Sequence, residues 1–210
     1  MRRVQITLAA GLTLIAIAIG VTLTRAPLSV AGTNAIPVGS AVGHTQGPAS
    51  SCQQGGTLPQ GTSVIRVSLS ANVGPKVSLR VLSGSRLLTK GERSAGWGVD
   101  ETVNVSVSPL SHPVPNAVIC TAVGPTIEPL QLNGMPRVPS SSKSLGMHDV
   151  LLRMEYLHPG PKSWWSLASS IAHHMGIGHA PGGTSSVVLV LALMLAVIAL
   201  ASRLALRELR

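Results

Sequence analysis

The chain has 210 residues, 45% apolar and only 11% charged, with no phenylalanine and a formal charge of +9. That length allows one domain of ordinary size plus membrane segments. Arg2, Arg3, Arg25, Arg203, Arg207 and Arg210 flank two apolar runs, while residues 26–184 hold ten Lys/Arg against six Asp/Glu, a net of +4. Read along the chain, that excess is mild and spread out. No basic cluster is interleaved with aromatics, which excludes nucleic acid as a partner.

Residues 1–25 open with Met-Arg-Arg and continue through the apolar run Val4–Thr24. This is the charged start and apolar core of an export signal. The run exceeds the roughly 7–15 residues of a cleaved signal, and Arg25 and Pro27 follow it, so it reads as a retained signal anchor. The alternative is cleavage after Ala31, where Ser29-Val30-Ala31 offers small residues. Residues 26–51 are rich in Gly, Ala, Ser and Pro with weak periodicity, and they read as a linker.

From Cys52 the pattern changes. Ser63–Ser70, Lys76–Leu82 and Glu101–Val107 alternate apolar and polar residues with period two, as half-buried strands do. Weaker strands are expected at Arg86–Lys90, Ala117–Val123, Ile127–Leu132 and Val150–Leu157. Turn residues separate them. The expectation is an all-β exported domain over 52–157, an antiparallel β-sandwich of Ig-like or jelly-roll-like type, with a small barrel as the alternative. Cys52 and Cys120 are the only cysteines, and in an exported domain such a pair is expected as a structural disulfide.

Residues 158–184 approach a second apolar run. His158-Pro159-Gly160-Pro161 breaks the last strand, and Ser163 can cap a helix over Trp164–Met175. Trp164, Trp165, Ile171 and Met175 are expected at a membrane interface, on an amphipathic helix. The run Ser185–Ser202 then holds eighteen residues without charge, Gly or Pro. With Arg203 snorkelling, residues 185–206 read as a C-terminal transmembrane helix, and 207–210 as a cytoplasmic tail. Arginines at both outer ends put both termini in the cytoplasm and residues 26–184 outside the plasma membrane.

Chemistry is sparse. Trp97, in Gly96-Trp97-Gly98, suits ligand stacking, or else covers a core edge. Asp100 and Glu101 beside it can bind an ion or sugar hydroxyls, or else mark a turn between strands. His173, His174 and His179 do not share a helix face at the i,i+4 spacing a metal site uses, so no metal is expected. The remaining acids are scattered, and no nucleophile, zinc or nucleotide signature occurs. The expectation is a protein that is not an enzyme and has no cofactor.

The segments CQQGGTLPQGTSVIRVSLSAN, SGSRLLTKGERSAGW and MEYLHPGPKSWWSLASSIAHHMGIG give the chain its likeness. It resembles uncharacterised bacterial envelope proteins with two membrane spans and one exported β-domain. The resemblance implies that architecture and supplies no catalytic residue. The function expected is a membrane-anchored accessory or interaction module. Its partners are the lipid bilayer and a membrane protein, or in the alternative an envelope glycan; an enzyme acting on envelope polymers ranks below both.

Overall fold

The computed structural model describes residues 2–39, 41–98, 102–137, 145–174 and Ala192. The chain divides into two units, one of Met1–Pro27 with Gly160–Arg210, the other Leu28–Pro159.

In the first unit α1 spans Arg2–Thr24 and α2 spans Trp164–His174. No proline interrupts α1, and two of its hydroxyls turn inward onto its own backbone: Thr22 Oγ1 donates to Ala18 O and Thr24 Oγ1 to Val21 O, each at 2.8 Å. Among the described residues no helix is long and apolar enough to cross a membrane. Of the two expected spans, then, the first is found as helix and is not shown to cross. The second, 185–206, lies outside the described residues except for Ala192. Ser163 caps α2 as its sequence predicts, with its Oγ accepting from Ser166 N at 3.3 Å.

The second unit is all β, as expected. Its strands are β1 (Leu28–Thr33), β2 (Ala41–Thr45), β3 (Ala49–Leu58), β4 (Val64–Val67), β5 (Leu69–Ser70), β6 (Val77–Ser83), β7 (Arg86–Arg93), β8 (Val103–Ser106), β9 (Val114–Val123), β10 (Leu130–Pro136), β11 (Val150–Leu152) and β12 (Met154–Pro159). Where the alternation predicts a two-layer sandwich, the described strands form three antiparallel sheets of four: β1-β12-β4-β8, β3-β9-β6-β7, and β11-β10-β2 with β5 also on β10. One core joins all three, with Ile65, Leu79, Val105, Ile119, Leu132, Leu152 and Tyr156 essentially without exposed surface.

The third sheet exists because two stretches that read as single strands each divide. Val64–Ser70 breaks at Ser68, and Val150–Pro159 breaks at Arg153. At the break three strands close a ring of backbone hydrogen bonds. Ser68 N donates to Arg153 O (3.0 Å), Arg153 N to Asn133 O (3.2 Å) and Asn133 N to Ser68 O (3.2 Å). A strand can switch sheets only if the polar groups freed at the bend find partners, and the ring supplies them.

Residues 26–51 correct the linker expectation. They carry β1, β2 and the start of β3, and the β-unit runs from Leu28 to Pro159 instead of 52–157. The inward positions of β3 are Ser51, Gln53, Gly55 and Leu58, so apolar alternation is almost absent from it. Amide chemistry replaces it. Buried Gln53 donates Nε2 to Leu152 O (2.6 Å) and accepts from Leu152 N at Oε1 (2.8 Å). Asn34 does the same one step on, from Nδ2 to Leu152 O (2.7 Å) and from Met154 N to Oδ1 (3.0 Å). Two side-chain amides thus complete the backbone on either side of the Arg153 bend. The alternative cleavage point after Ala31 falls inside β1.

The expected disulfide joins Cys52 of β3 to Cys120 of β9, directly opposite in register. It ties neighbouring strands whose chain positions lie 68 residues apart. Tyr156, fully buried, donates its hydroxyl to Gly55 O and so joins β12 to β3 of another sheet. Burial pushes its phenol above the ordinary value of 10.0. The folded chain then keeps a proton that the unfolded chain releases, so stability is expected to fall as pH rises above about 10. Tyr156→Phe should cost about 1 kcal/mol at neutral pH and flatten that alkaline loss. Urea midpoints at pH 7 and 10.5 for both proteins check this; equal alkaline slopes would count against it.

Candidate functional site

Two loops leave the core beside each other. Residues 71–76 follow β5, and residues 124–129 precede β10. Asn72 Nδ2 donates to Glu128 Oε2 at 2.8 Å and ties them together, while Thr126 Oγ1 donates to Glu128 O at 2.6 Å within the second loop. With β2 they border a cavity of about 640 Å³ lined by Ala41–His44, Asn72, Glu128, Pro129 and Gln131. His44 and Gln131 face each other across β2 and β10 in register. Gly43 lets the segment at Leu145 cross close by, for a Cβ on it would stand 2.3 Å from Leu145 O. His44 N donates to that same carbonyl at 2.9 Å.

The lining offers an amide, an imidazole, a second amide and one carboxylate already held by Asn72. Such a set can accept from and donate to a polar partner. It lacks the second carboxylate that acid–base hydrolysis of a glycoside uses. Immediately beside the tie, Val73 is 67% exposed and Ile127 103% exposed, two apolar tips with nothing covering them among the described residues.

The cavity lies at the end of β4–β5 remote from the unit's chain ends. Val64 pairs with Leu157, close to Pro159, whereas Ser70 leads directly into Ala71 and Asn72.

Trp97 is not an exposed stacking platform. It is 8% exposed, belongs to the core, and donates Nε1 to Pro75 O at 2.7 Å. Gly74 lies flat against it, since a Cβ there would sit 2.0 Å from the ring. Gly74 N donates to Trp97 O, and Gly96 N donates to Gly74 O at 2.9 Å. Trp97 therefore positions the loop that presents Asn72 and Val73, which is the core-edge alternative given a purpose. Asp100 and Glu101, the other expected ligand residues, lie outside the described residues.

Trp164, Trp165 and Ile171 stand exposed on α2, at 43%, 62% and 40%. Met175 lies outside the described residues. Among the described residues no group of three or more His, Cys, Asp or Glu could hold a metal ion. Asn72, Glu128, His44 and Gln131 escape sequence reading because they come from three distant stretches. The usable signal is local, an apolar residue at the centre of each turn-rich loop, Asn72-Val73-Gly74-Pro75 and Pro125-Thr126-Ile127-Glu128-Pro129. Comparison with known proteins finds no match to a protein-family model, a curated protein or a solved structure.

Proposed function

We propose that this protein is a membrane-anchored, non-enzymatic interaction module of the cell envelope, with the β-unit held outside the membrane as an accessory to a membrane protein. The observation that carries the reading is how the chain enters and leaves the β-unit. Leu28 and Pro159 are paired neighbours on β1 and β12. Three residues separate the end of the apolar α1 from Leu28, and four separate Pro159 from the tryptophan-bearing start of α2. Both connections leaving side by side suits two anchors in one bilayer, with α1 and 185–206 as the spans. A 23-residue helix reaches about 34 Å, the length scale of a bilayer core. The bond from Trp164 N to Arg25 O (3.1 Å) holds the two flanking segments together, as an interfacial α2 beside the end of a span requires.

The cavity with Val73 and Ile127 is the surface offered to the partner protein. The hydrogen-bonding lining favours a second reading, in which the cavity takes a hydroxyl-rich envelope glycan. Co-purification of a stoichiometric membrane protein supports the first; binding on a glycan array by a chain that purifies alone supports the second.

Topology is tested by cysteine labelling of intact cells, since both native cysteines are in the disulfide. Ser85→Cys, in the exposed turn after β6, is expected to react with an impermeant maleimide from outside. Glu208→Cys is expected to react only after permeabilisation. Labelling of Glu208→Cys in intact cells, or none at Ser85→Cys, would overturn the anchored, outward arrangement.

A further inference from the structure

We infer that the exposed β6–β7 hairpin is a binding surface for an anionic polysaccharide, one bearing carboxylate or phosphate groups along its length. The inference rests on the envelope location proposed above, and its test does not. The positive charge of residues 26–184 is not spread out, as a reading along the chain suggests. Lys76–Arg93 carries five cations and one acid, a net of +4, and the rest of 26–184 balances at five of each sign. One hairpin therefore holds the whole excess.

The fold lines these charges up. Arg80 of β6 and Lys90 of β7 are directly opposite, in a row with Cys120 and Cys52, so the disulfide stiffens the strands behind them. Arg86 and Arg93 mark the two ends of β7, about 24 Å apart at the usual strand rise, and stand opposite Ser83 and Val77, so they flank the Arg80–Lys90 pair from the other face of the hairpin. All four are exposed. Among the described residues none of the four meets a carboxylate; the hairpin's one acid, Glu92, is taken by Lys76 at 2.7 Å. The hydrogen bond and charge of Lys76, with Lys90 adding to them, hold the Glu92 carboxyl below its ordinary value.

Like charges directly opposite on a sheet repel. A face that sets Arg80 against Lys90, with the one nearby acid, Glu92, already bonded to Lys76, favours an anion from outside. Cations at the base, middle and tip of the hairpin, Arg93, Arg80 with Lys90, and Arg86, fit an extended polymer better than a compact ion. Leu87, 48% exposed between Arg86 and Lys90, adds an apolar surface of the kind the C–H face of a sugar ring covers. An apolar surface among the cations suits a pyranose, which offers both a C–H face and an anionic group, better than a lipid headgroup.

The test uses the full chain in phosphatidylcholine nanodiscs, titrated against fluorescent polygalacturonate and a phosphomannan, with neutral dextran as control. The anionic polymers are expected to bind, dextran is not, and affinity is expected to fall as NaCl screens the charges. Arg80→Gln with Lys90→Gln should weaken binding about tenfold without lowering the thermal midpoint. Arg25→Gln with Lys162→Gln, the same charge removed in the other unit, should leave binding unchanged. The inference is overturned if neither polymer binds, if the two pairs of substitutions act alike, or if only poly-glutamate or phosphatidylglycerol vesicles bind.

Discussion

Trp97→Ala is expected to cost about 3–5 kcal/mol of stability, the largest effect of any single substitution outside the disulfide. The indole is 8% exposed, so its removal leaves a large void in a core built mostly from Val, Leu and Ile. The loop from Ala71 to Lys76 also loses its supports, because Pro75 O gives up its donor and Gly74 the ring it lies against. Trp97→Phe keeps most of the bulk and drops only the N–H bond, so it should cost about 1–2 kcal/mol. Gly74→Ala attacks the same contact from the other side and should resemble Trp97→Ala. Urea denaturation of all three checks the order. An unchanged midpoint in Trp97→Ala would remove its role as the rivet of the cavity loop. The same set bears on function, because a partner that reads Asn72 and Val73 should lose affinity in Trp97→Ala even where the fold survives.

Gln53→Leu should cost about 2–4 kcal/mol. The substituted side chain matches the volume and fills the site, yet Leu152 N–H is left buried without an acceptor, and that penalty exceeds the net value of an ordinary hydrogen bond. Leu152 O keeps Asn34 Nδ2 as a donor, so Gln53 and Asn34 share one acceptor. Their substitutions are therefore expected to be non-additive. A double-mutant cycle of Gln53→Leu and Asn34→Ala checks this. A coupling energy near zero would mean that the two amides do not act together at the Arg153 bend.

These amides also explain what is legible in the sequence. Each strand that alternation predicts between Ser63 and Leu157 has a counterpart, though the one expected at Ile127–Leu132 starts only at Leu130, because inward positions such as Ile65, Val67, Leu79, Val103 and Val105 carry their burial in their own chemistry. β1, β2 and β3 are invisible to that pattern because their inward side chains include Ser51, Gln53, Gly55 and Thr45, which bury by hydrogen bonding or by being small. The division of two strands at Ser68 and Arg153 is equally hidden. Arg153 reads as a surface residue, and at the bend its Nη1 donates to Ile36 O (3.0 Å) while Nη2 pairs with Glu155 (2.8 Å). Arg153, together with Arg66 and against the opposing effect of burial, holds the Glu155 carboxyl below its ordinary value. The capped helix at Trp164 is legible from a serine and a spacing. The cavity is not, since no local pattern links Asn72 to Glu128 or His44.

The pairing of Leu28 with Pro159 has a mechanical side. Antiparallel neighbours lie about 5 Å apart, so the two connections of the β-unit emerge almost at one point. A pull that separates them loads the β1–β12 ladder one rung at a time, from Leu28 towards Thr33, and a ladder opened in that direction yields at low force. Beyond Thr33 the load meets Asn34, whose backbone N–H and side chain are fastened to Met154 and Leu152. β12 meanwhile keeps β4 on its other side. Slack of six residues can therefore be drawn from β1 while the core stays closed. The strand acts as a tether that lengthens under tension and zips back when the tension is released.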